Sequence, residues 1–450
     1  MYVSSRGDAT GGGEQYLRLV MHHLDRKRFT PIVVLPFEGT LRSALEGLDV
    51  EVVTMGARPG PLALDHEWYR LLSGLPERVR KLVTIVREQG VGLVHTNSNY
   101  RLEGAIAAAL GGVRHLYVAH IEFQPHMPIF RRLPLQQSSY AQMMGDLSTR
   151  IVAVSDGVAR TLSPPISAEK IRVIHNGLDL DAFDHVPTSD VRALRRTLGL
   201  PPEGTLVIAV GNLNPDKGFD DYVSAATGVL ARFPDVHFLL VGGEVTPEYG
   251  MALRAQVHEA GIGERFHLLG RREDVPRLLA ASDVFVLSSR REGHPYVLLE
   301  AMACGRATVA TRCHGVEETS VEGVTGYTVD VGDVAAMGDA ISRLCGDPGL
   351  RMRMGAAGLD RVHARFSAQE SVAALMSQYD EILACPVPPA GSPALELIIH
   401  NFGELGSLGL RLIAVEERLR HLEATPWRRR FATGLAKAVD TLRTGLRPKQ

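Results

Sequence analysis

Glu292 and Glu300 stand eight residues apart on either side of a Gly293-His-Pro-Tyr296 segment. Two carboxylates so placed suit a ligand that carries both hydroxyl groups and phosphates. Glu292 falls in a loop, where it is free to accept hydrogen bonds from hydroxyls, and Glu300 lies one to two turns into a short helix. Between them, the amides of Gly293, His294 and Tyr296 are available to an anion, because unpaired N–H groups and the helix dipole both favour negative charge. Two glutamates without such surroundings would read as ordinary surface charges, so the weight rests on what accompanies them.

Three other groups do. Lys217, in Gly211-Asn-Leu-Asn-Pro-Asp-Lys217-Gly, sits between a strand ending at Gly211 and a helix beginning near Phe219. A diphosphate held there would gain about 1.5–3 kcal/mol from the ammonium group. Gly11-Gly12-Gly13 precedes an amphipathic segment and lets a phosphate approach the backbone closely. It fits neither G-x-x-x-x-G-K-[ST] nor G-x-G-x-x-G, which weakens ATPase and dinucleotide readings. His120 ends an apolar strand and is followed by Glu122, Gln124 and His126, and His95 is expected at the end of another strand; either could bond sugar hydroxyls or move protons. Asp179-Leu-Asp181 has the spacing of a metal-binding pair but lacks the adjoining hydrophobic strand, and it is rejected as a metal site.

The elements that must position these groups are short apolar β runs separated by helix-length segments, the pattern of two doubly wound α/β domains facing a cleft. Pro295 suits a first helical turn and Gly305 its stop. The junction is expected over Asp181 to Pro202, and one more amphipathic helix over Ser367 to Leu383. Cys385-Pro-Val-Pro-Pro-Ala-Gly-Ser-Pro then breaks regular structure.

At 450 residues with 45% apolar and 22% charged content, the chain has ample material for two cores. A net charge of −2 advertises no nucleic acid partner, and no apolar run is long enough to span a bilayer. Four irregularly spaced cysteines and no signal-peptide pattern fit a cytoplasmic protein. Leu395 to Leu422 has helical apolar spacing, and Pro426 to Gln450 holds seven Lys/Arg against one acidic residue. That end suits peripheral contact with an anionic membrane, or equally a solvated helix with a frayed basic tail.

Residues 1 to about 383 resemble the retaining glycosyltransferases of GT-B fold in family 4 (group 1). The matching segments run in family order: GGGEQYLRLV, LVHTNS, the strand ending at His120, IVAVSDGVARTL, VIHNGLDLDAF, VAVGNLNPDKGFDDYVSAA, FLLVGG, FHLLGRREDVPRLLAASDVFVLSS, EGHPYVLLEAMACGRATVAT and GYTV. Glu292 and Glu300 occupy the positions of the family's paired-glutamate motif.

The resemblance implies two Rossmann-like domains: an acceptor-side domain over residues 1–186 with a returning helix at about 364–384, and a nucleotide-sugar domain over 187–363; residues 385–450, beyond the resemblance, are expected to be a linker and basic helical tail outside the fold. It implies a nucleotide-diphosphate-sugar donor and a glycan or lipid-linked acceptor. Glu300 would hold the ribose, Glu292 the donor sugar, and Gly293 with the following amides, His294 and Tyr296 included, the diphosphate. Lys217 would neutralise the diphosphate beside Asn212, Arg271 would flank the base, and Gly12 and Gly13 would approach from the first domain. His120 matches the family's active-site histidine. The transfer would retain anomeric configuration and need neither metal nor other cofactor, Lys217 and helix amides taking the metal's place. A role in cell-surface polysaccharide or glycoconjugate assembly is expected.

The chain departs from the pattern in three places. Asn212 stands where most relatives carry arginine, with Arg290 or Arg291 as possible substitutes; the first strand is short; and Cys313-His-Gly-Val-Glu-Glu replaces a Gly-Gly-x-x-Glu loop. A nucleotide-sugar isomerase or hydrolase on the same fold, and a catalytically silent binding subunit, remain as alternatives.

Overall fold

A computed structural model describes residues 1–9, 11–56, 65–98, 100–124, 136–183, 188–201 and 204–423. The apolar runs form two parallel sheets. The first comprises β1 (Tyr2–Ser4), β2 (Ile32–Leu35), β3 (Glu51–Thr54), β4 (Leu93–Asn97), β5 (Arg114–Ala119), β6 (Arg150–Ala153) and β7 (Ile171–Val173), in the order β3-β2-β1-β4-β5-β6-β7. The second comprises β8 (Leu206–Val210), β9 (His237–Val241), β10 (Phe266–Gly270), β11 (Val284–Leu287), β12 (Ala307–Thr311) and β13 (Gly326–Val329), in the order β10-β9-β8-β11-β12-β13. The central strands are buried throughout, as Val284–Leu287 shows, because helices cover both faces of each sheet. This is the expected doubly wound GT-B architecture.

In each sheet the strand order reverses beside the first strand, between β1 and β4 and between β8 and β11. Crevices at such reversals take ligands at the strands' carboxyl ends. The loops leaving these strands are the glycine loop after β1, the turn after Asn97 at the end of β4, the Lys217 loop after β8 and the Glu292 loop after β11.

The chain leaves the first sheet and returns to it through one point. Leu178 N–H donates to the Phe366 carbonyl at 2.7 Å, and Ala368 N–H donates to the Leu178 carbonyl at 3.0 Å. Gly177 is required there, since a methyl group on it would fall 2.4 Å from the Ser367 carbonyl oxygen. The returning helix Ala368–Ala384 packs against the helix Gly12–His23 and β5.

Residues 393–423 are part of the fold, where a tail outside it was expected. The helix Pro393–Glu423 lies back on the helices Asp65–Ser73 and Leu75–Glu88. Gly403, Gly406 and Gly409 permit this approach: methyl groups on them would fall 2.7 Å from Pro76, 2.3 Å from the Ser73 nitrogen and 2.0 Å from Tyr69. The glycines recur every three residues, a spacing that keeps them on one helix face. No helix among the described residues is long and apolar enough to cross a membrane. The basic segment from Pro426 lies outside the described residues.

Candidate functional site

The two crevices face one another across a cavity of about 980 Å³. Its lining includes Gly12, Gly13, His120, Asn212, Lys217, Arg271, Glu292, Gly293, His294, Tyr296 and Glu300, the residues expected to hold the donor and act on it.

Lys217 closes a short 3-10 turn, Pro215–Lys217, that Asn214 caps by accepting from the Asp216 amide. Gly218 follows at φ +59, and a methyl group there would fall 2.1 Å from the Ser288 carbonyl, so the turn locks onto the strand-end of β11. The result is a direct pair: Lys217 Nζ lies 2.6 Å from Glu292 Oε1, which also accepts from the Ser289 hydroxyl at 2.6 Å.

Glu300 rides on the helix Tyr296–Ala303. Pro295 precedes this helix instead of opening its first turn. Lacking an N–H, it leaves the Tyr296 and Val297 amides as the first helical donors. Burial raises the Glu300 carboxyl above its ordinary range, against the pull of the Gln15 amide that donates to it across the cleft at 3.0 Å.

From the first sheet, the helix Gly12–His23 begins inside the glycine loop. A methyl group at Gly12 would lie 3.5 Å from the Tyr296 ring, and one at Gly13 would lie 3.7 Å from the His120 ring. Asn97 organises this corner. Its Nδ2 donates to the Gly13 carbonyl at 2.8 Å, which leaves Oδ1 to accept from His120 Nε2 at 2.6 Å. The proton of His120 is thereby assigned to Nε2, with Nδ1 an acceptor. Burial pushes this imidazole down to about 4, so it is neutral at pH 7.

Several expectations are corrected. His95 is not at a strand end: β4 runs two residues further, and His95 is 2% exposed with Nδ1 2.8 Å from the Tyr379 hydroxyl. The His294 ring is also core, 3% exposed, packed on His175 and Phe366 with Nε2 3.1 Å from the Thr319 hydroxyl. Only its backbone is placed for a ligand, and its carbonyl already accepts from Asn176 Nδ2 at 2.8 Å. Arg290 and Arg291 do not replace the charge missing at Asn212. Arg290 is held by Asp220 and Asp221, Arg291 pairs with Asp216, and neither is among the described lining residues. His126 lies outside the described residues, and Glu122 is buried against His314 at 3.1 Å.

The divergent Cys313–Glu318 loop is a bridge between the units. Glu318 accepts from the Asp156 and Gly157 amides at 2.8 and 2.9 Å and meets His175 Nε2 at 2.7 Å. Burial alone would raise this carboxyl, but the His175 contact and the two amides bring it down to about 2.

Comparison with known proteins accords with this geometry. Residues 10–182 match the profile of Glycosyltransferase Family 4 and residues 204–347 that of Glycosyl transferases group 1. The chain is 30% identical over 233 residues to the N-acetyl-alpha-D-glucosaminyl L-malate synthase of Bacillus anthracis, covering 52% of this chain and only 58% of that protein. It is 30% identical over 346 residues to the alpha-maltose-1-phosphate synthase of Mycobacterium tuberculosis, covering 71% of this chain and 87% of that one. The crystal structure of Anabaena Alr3699/HepE in complex with UDP superposes with a TM-score of 0.72 at 24% identity, over 84% of this chain and 99% of that one. WaaG, a glycosyltransferase involved in lipopolysaccharide biosynthesis, shares the fold at a TM-score of 0.65 and 15% identity, over 86% and 100% of the two chains. Two family profiles in chain order and a relative matched over most of its length establish that this chain belongs to the family 4, group 1, glycosyltransferases.

Proposed function

We propose that the protein is a retaining, metal-independent glycosyltransferase that moves a sugar from a nucleotide-diphosphate donor to an acceptor in the assembly of a surface polysaccharide or glycoconjugate. One observation carries this reading. Lys217, Glu292 and Glu300 from the second sheet meet His120 and the glycine loop from the first across a single cavity. Its volume of about 980 Å³ is ample for a nucleotide sugar.

Each group then has a task. Glu300 accepts from the ribose hydroxyls and Glu292 from the sugar being moved. Lys217, already 2.6 Å from Glu292, and the Gly293 to Val297 backbone stabilise the departing diphosphate. Stabilising a leaving group in this way is worth about 2.7–4 kcal/mol per strong donor. The departing phosphate oxygen takes the acceptor proton on the face from which it leaves, which preserves anomeric configuration. His120, neutral and fixed by Asn97, orients the sugar without adding charge. Arg271 flanks the base, its stem 3.8–3.9 Å from where a methyl group on Gly243 would sit.

The donor class draws support from HepE, whose structures hold UDP and UDP-glucose. The acceptors of relatives named for malate and inositol 3-phosphate differ, so acceptor choice is a property of each enzyme. The test is a thermal-shift screen against UDP-, GDP- and ADP-sugars, followed by product analysis with and without acceptor. A donor that stabilises the fold and is consumed with formation of a glycoside of retained configuration supports the reading. Stabilisation by no nucleotide sugar, or rearrangement of the donor without an acceptor, refutes it.

A further inference from the structure

The helix Pro393–Glu423 is docked along one side only. Its buried positions among the described residues are Ile399, Gly403, Gly406 and Gly409, the side that meets the helices Asp65–Ser73 and Leu75–Glu88. At 3.6 residues per turn, Leu408 and Val415 stand about 160–180° around the helix from Gly406, so they point away from the body. Four of the eleven large apolar side chains that stand exposed among the described residues belong to this helix: Leu397, Ile398, Leu408 and Val415. No other described helix carries more than one.

The spacing on this side is regular. Ile398, Asn401, Leu405, Leu408, Leu412 and Val415 follow one another at alternating steps of three and four residues, and the amino-acid sequence continues the steps with Leu419 and Leu422. That is the seven-residue repeat of a coiled coil, a narrower seam than the stripe of a helix resting on a globular core. Leu405 and Leu412 are half-buried at its inner edge, and Leu408 and Val415 are exposed. Asn401 is the one polar residue in the series, a feature that fixes register at a cost in stability. The surrounding charge disfavours an anionic membrane as the occupant. Among the described exposed residues of the helix, Glu396, Glu404 and Glu417 outnumber Arg411, where a membrane-surface helix would carry mostly Lys and Arg.

We infer that two copies of this chain pair side by side and in the same direction through this seam, forming a parallel two-stranded coil over Ile398 to Leu422. The surface is self-complementary, as a two-fold pair requires. In the amino-acid sequence, Arg411 and Arg418 fall on one flank of the repeat and Glu416 and Glu423 on the other. Pairing in the same direction sets Arg411 against Glu416 of the second copy, and Arg418 against its Glu423. Because each helix is docked by its other side, the two bodies lie outside the coil.

The test is the mass of the full chain by sedimentation velocity at micromolar concentration, where a dimer is expected. Leu408→Glu/Val415→Glu should associate at least about 100-fold more weakly, since it places unpaired charges in a buried seam. Cooperative unfolding and circular dichroism should be unchanged. Ala414→Glu, at an exposed position of the same helix outside the seam, should leave the dimer intact. A wild type that stays monomeric, or a seam variant that stays dimeric, overturns the inference. A monomer that pellets with phosphatidylglycerol vesicles also overturns it and gives the face to a membrane. Charge exchange tests the pairing without touching the seam: Arg411→Glu/Arg418→Glu and Glu416→Arg/Glu423→Arg should each associate at least about tenfold more weakly, and their equimolar mixture should regain the dimer. A mixture as weak as its components overturns the parallel pairing. This measurement decides alone if the seam variant loses cooperative unfolding.

Discussion

Gln15 Nε2 donates to Glu300 Oε1 at 3.0 Å, joining the helix that opens in the glycine loop to the carboxylate proposed to hold the ribose. A bound ribose must displace this contact or share it. Gln15→Ala should therefore tighten nucleoside diphosphate binding by about threefold, the scale of one modest hydrogen bond. Glu300→Ala should weaken it by about 10- to 100-fold, since a charged acceptor is lost. Calorimetric titration decides, and unaltered affinity in Glu300→Ala would remove the ribose role.

The Lys217–Glu292 pair predicts an asymmetry. Lys217→Ala removes charge from the developing diphosphate and should lower kcat by about 100- to 1,000-fold. Glu292→Gln keeps the shape of the site and should act mainly through the sugar. Steady-state kinetics with a donor series would show this as a smaller loss for Glu292→Gln than for Lys217→Ala. A Lys217→Ala enzyme of normal turnover would contradict the mechanism.

Gly293 and Gly12 offer a steric contrast. A methyl group on Gly293 would fall 1.8 Å from the His120 carbonyl oxygen, whereas one on Gly12 would find ordinary contact 3.5 Å from Tyr296. Gly293→Ala should force the loop away from the first unit and cost at least about 100-fold in kcat/KM through misplacement alone. Gly12→Ala should leave folding intact, as measured by thermal unfolding, and act on donor KM.

Acid stability should depend on buried histidines. Burial pushes His120 down to about 4 and His115 and His294 down to about 3, with His95 well below its ordinary value. These folded-state values lie below the unfolded value near 6.5, so the unfolded chain binds protons first. Stability should be fully present above about pH 6.5 and fall progressively toward pH 4 and below. Unfolding at pH 5 should take up as much as one proton per histidine, measurable by calorimetry in buffers of different ionisation enthalpy.

Glu318 adds a second acid limb lower down. Its folded value of about 2 lies below the unfolded 4.5, so its contribution is present above pH 4.5 and lost as pH falls through 2. Glu318→Ala should cost about 1–3 kcal/mol at neutral pH, because two amides and His175 lose their acceptor. Denaturant unfolding of the full chain checks this, and no loss would mean that water replaces the carboxylate.

The two-sheet fold and the cavity lining could be read from the order of apolar runs and polar loops. Each of the selected groups is local to one strand-end loop. Contacts between loops were less accessible. Thr96 and Asn97 are polar, so the apolar run predicts a strand end at His95 and passes over Asn97, although a polar residue closing a strand at a reversal of sheet order is a usable signal. Gln15 and Glu318 act on partners 285 and 162 residues away, and only the relative placement of the two units reveals them. The docking of Pro393–Glu423 was hidden for a different reason: glycines in a helical stretch read as weakness until their close approach to Tyr69 and Ser73 is seen.

The paired crossing at Leu178 and Phe366–Ala368 constrains how the enzyme can open. Both strands of chain linking the halves pass through one hydrogen-bonded knot, so the second half hangs from a single pin, as a door does, instead of from two separate straps. The covalent connection therefore leaves rotation about that pin as the motion of one half against the other. The Glu318 bridge lies on the same side as the pin's neighbour His175, while Gln15 and Glu300 meet beyond it. Any such rotation has to part the contacts that flank the pin, Glu318 with the Asp156 and Gly157 amides and Gln15 with Glu300.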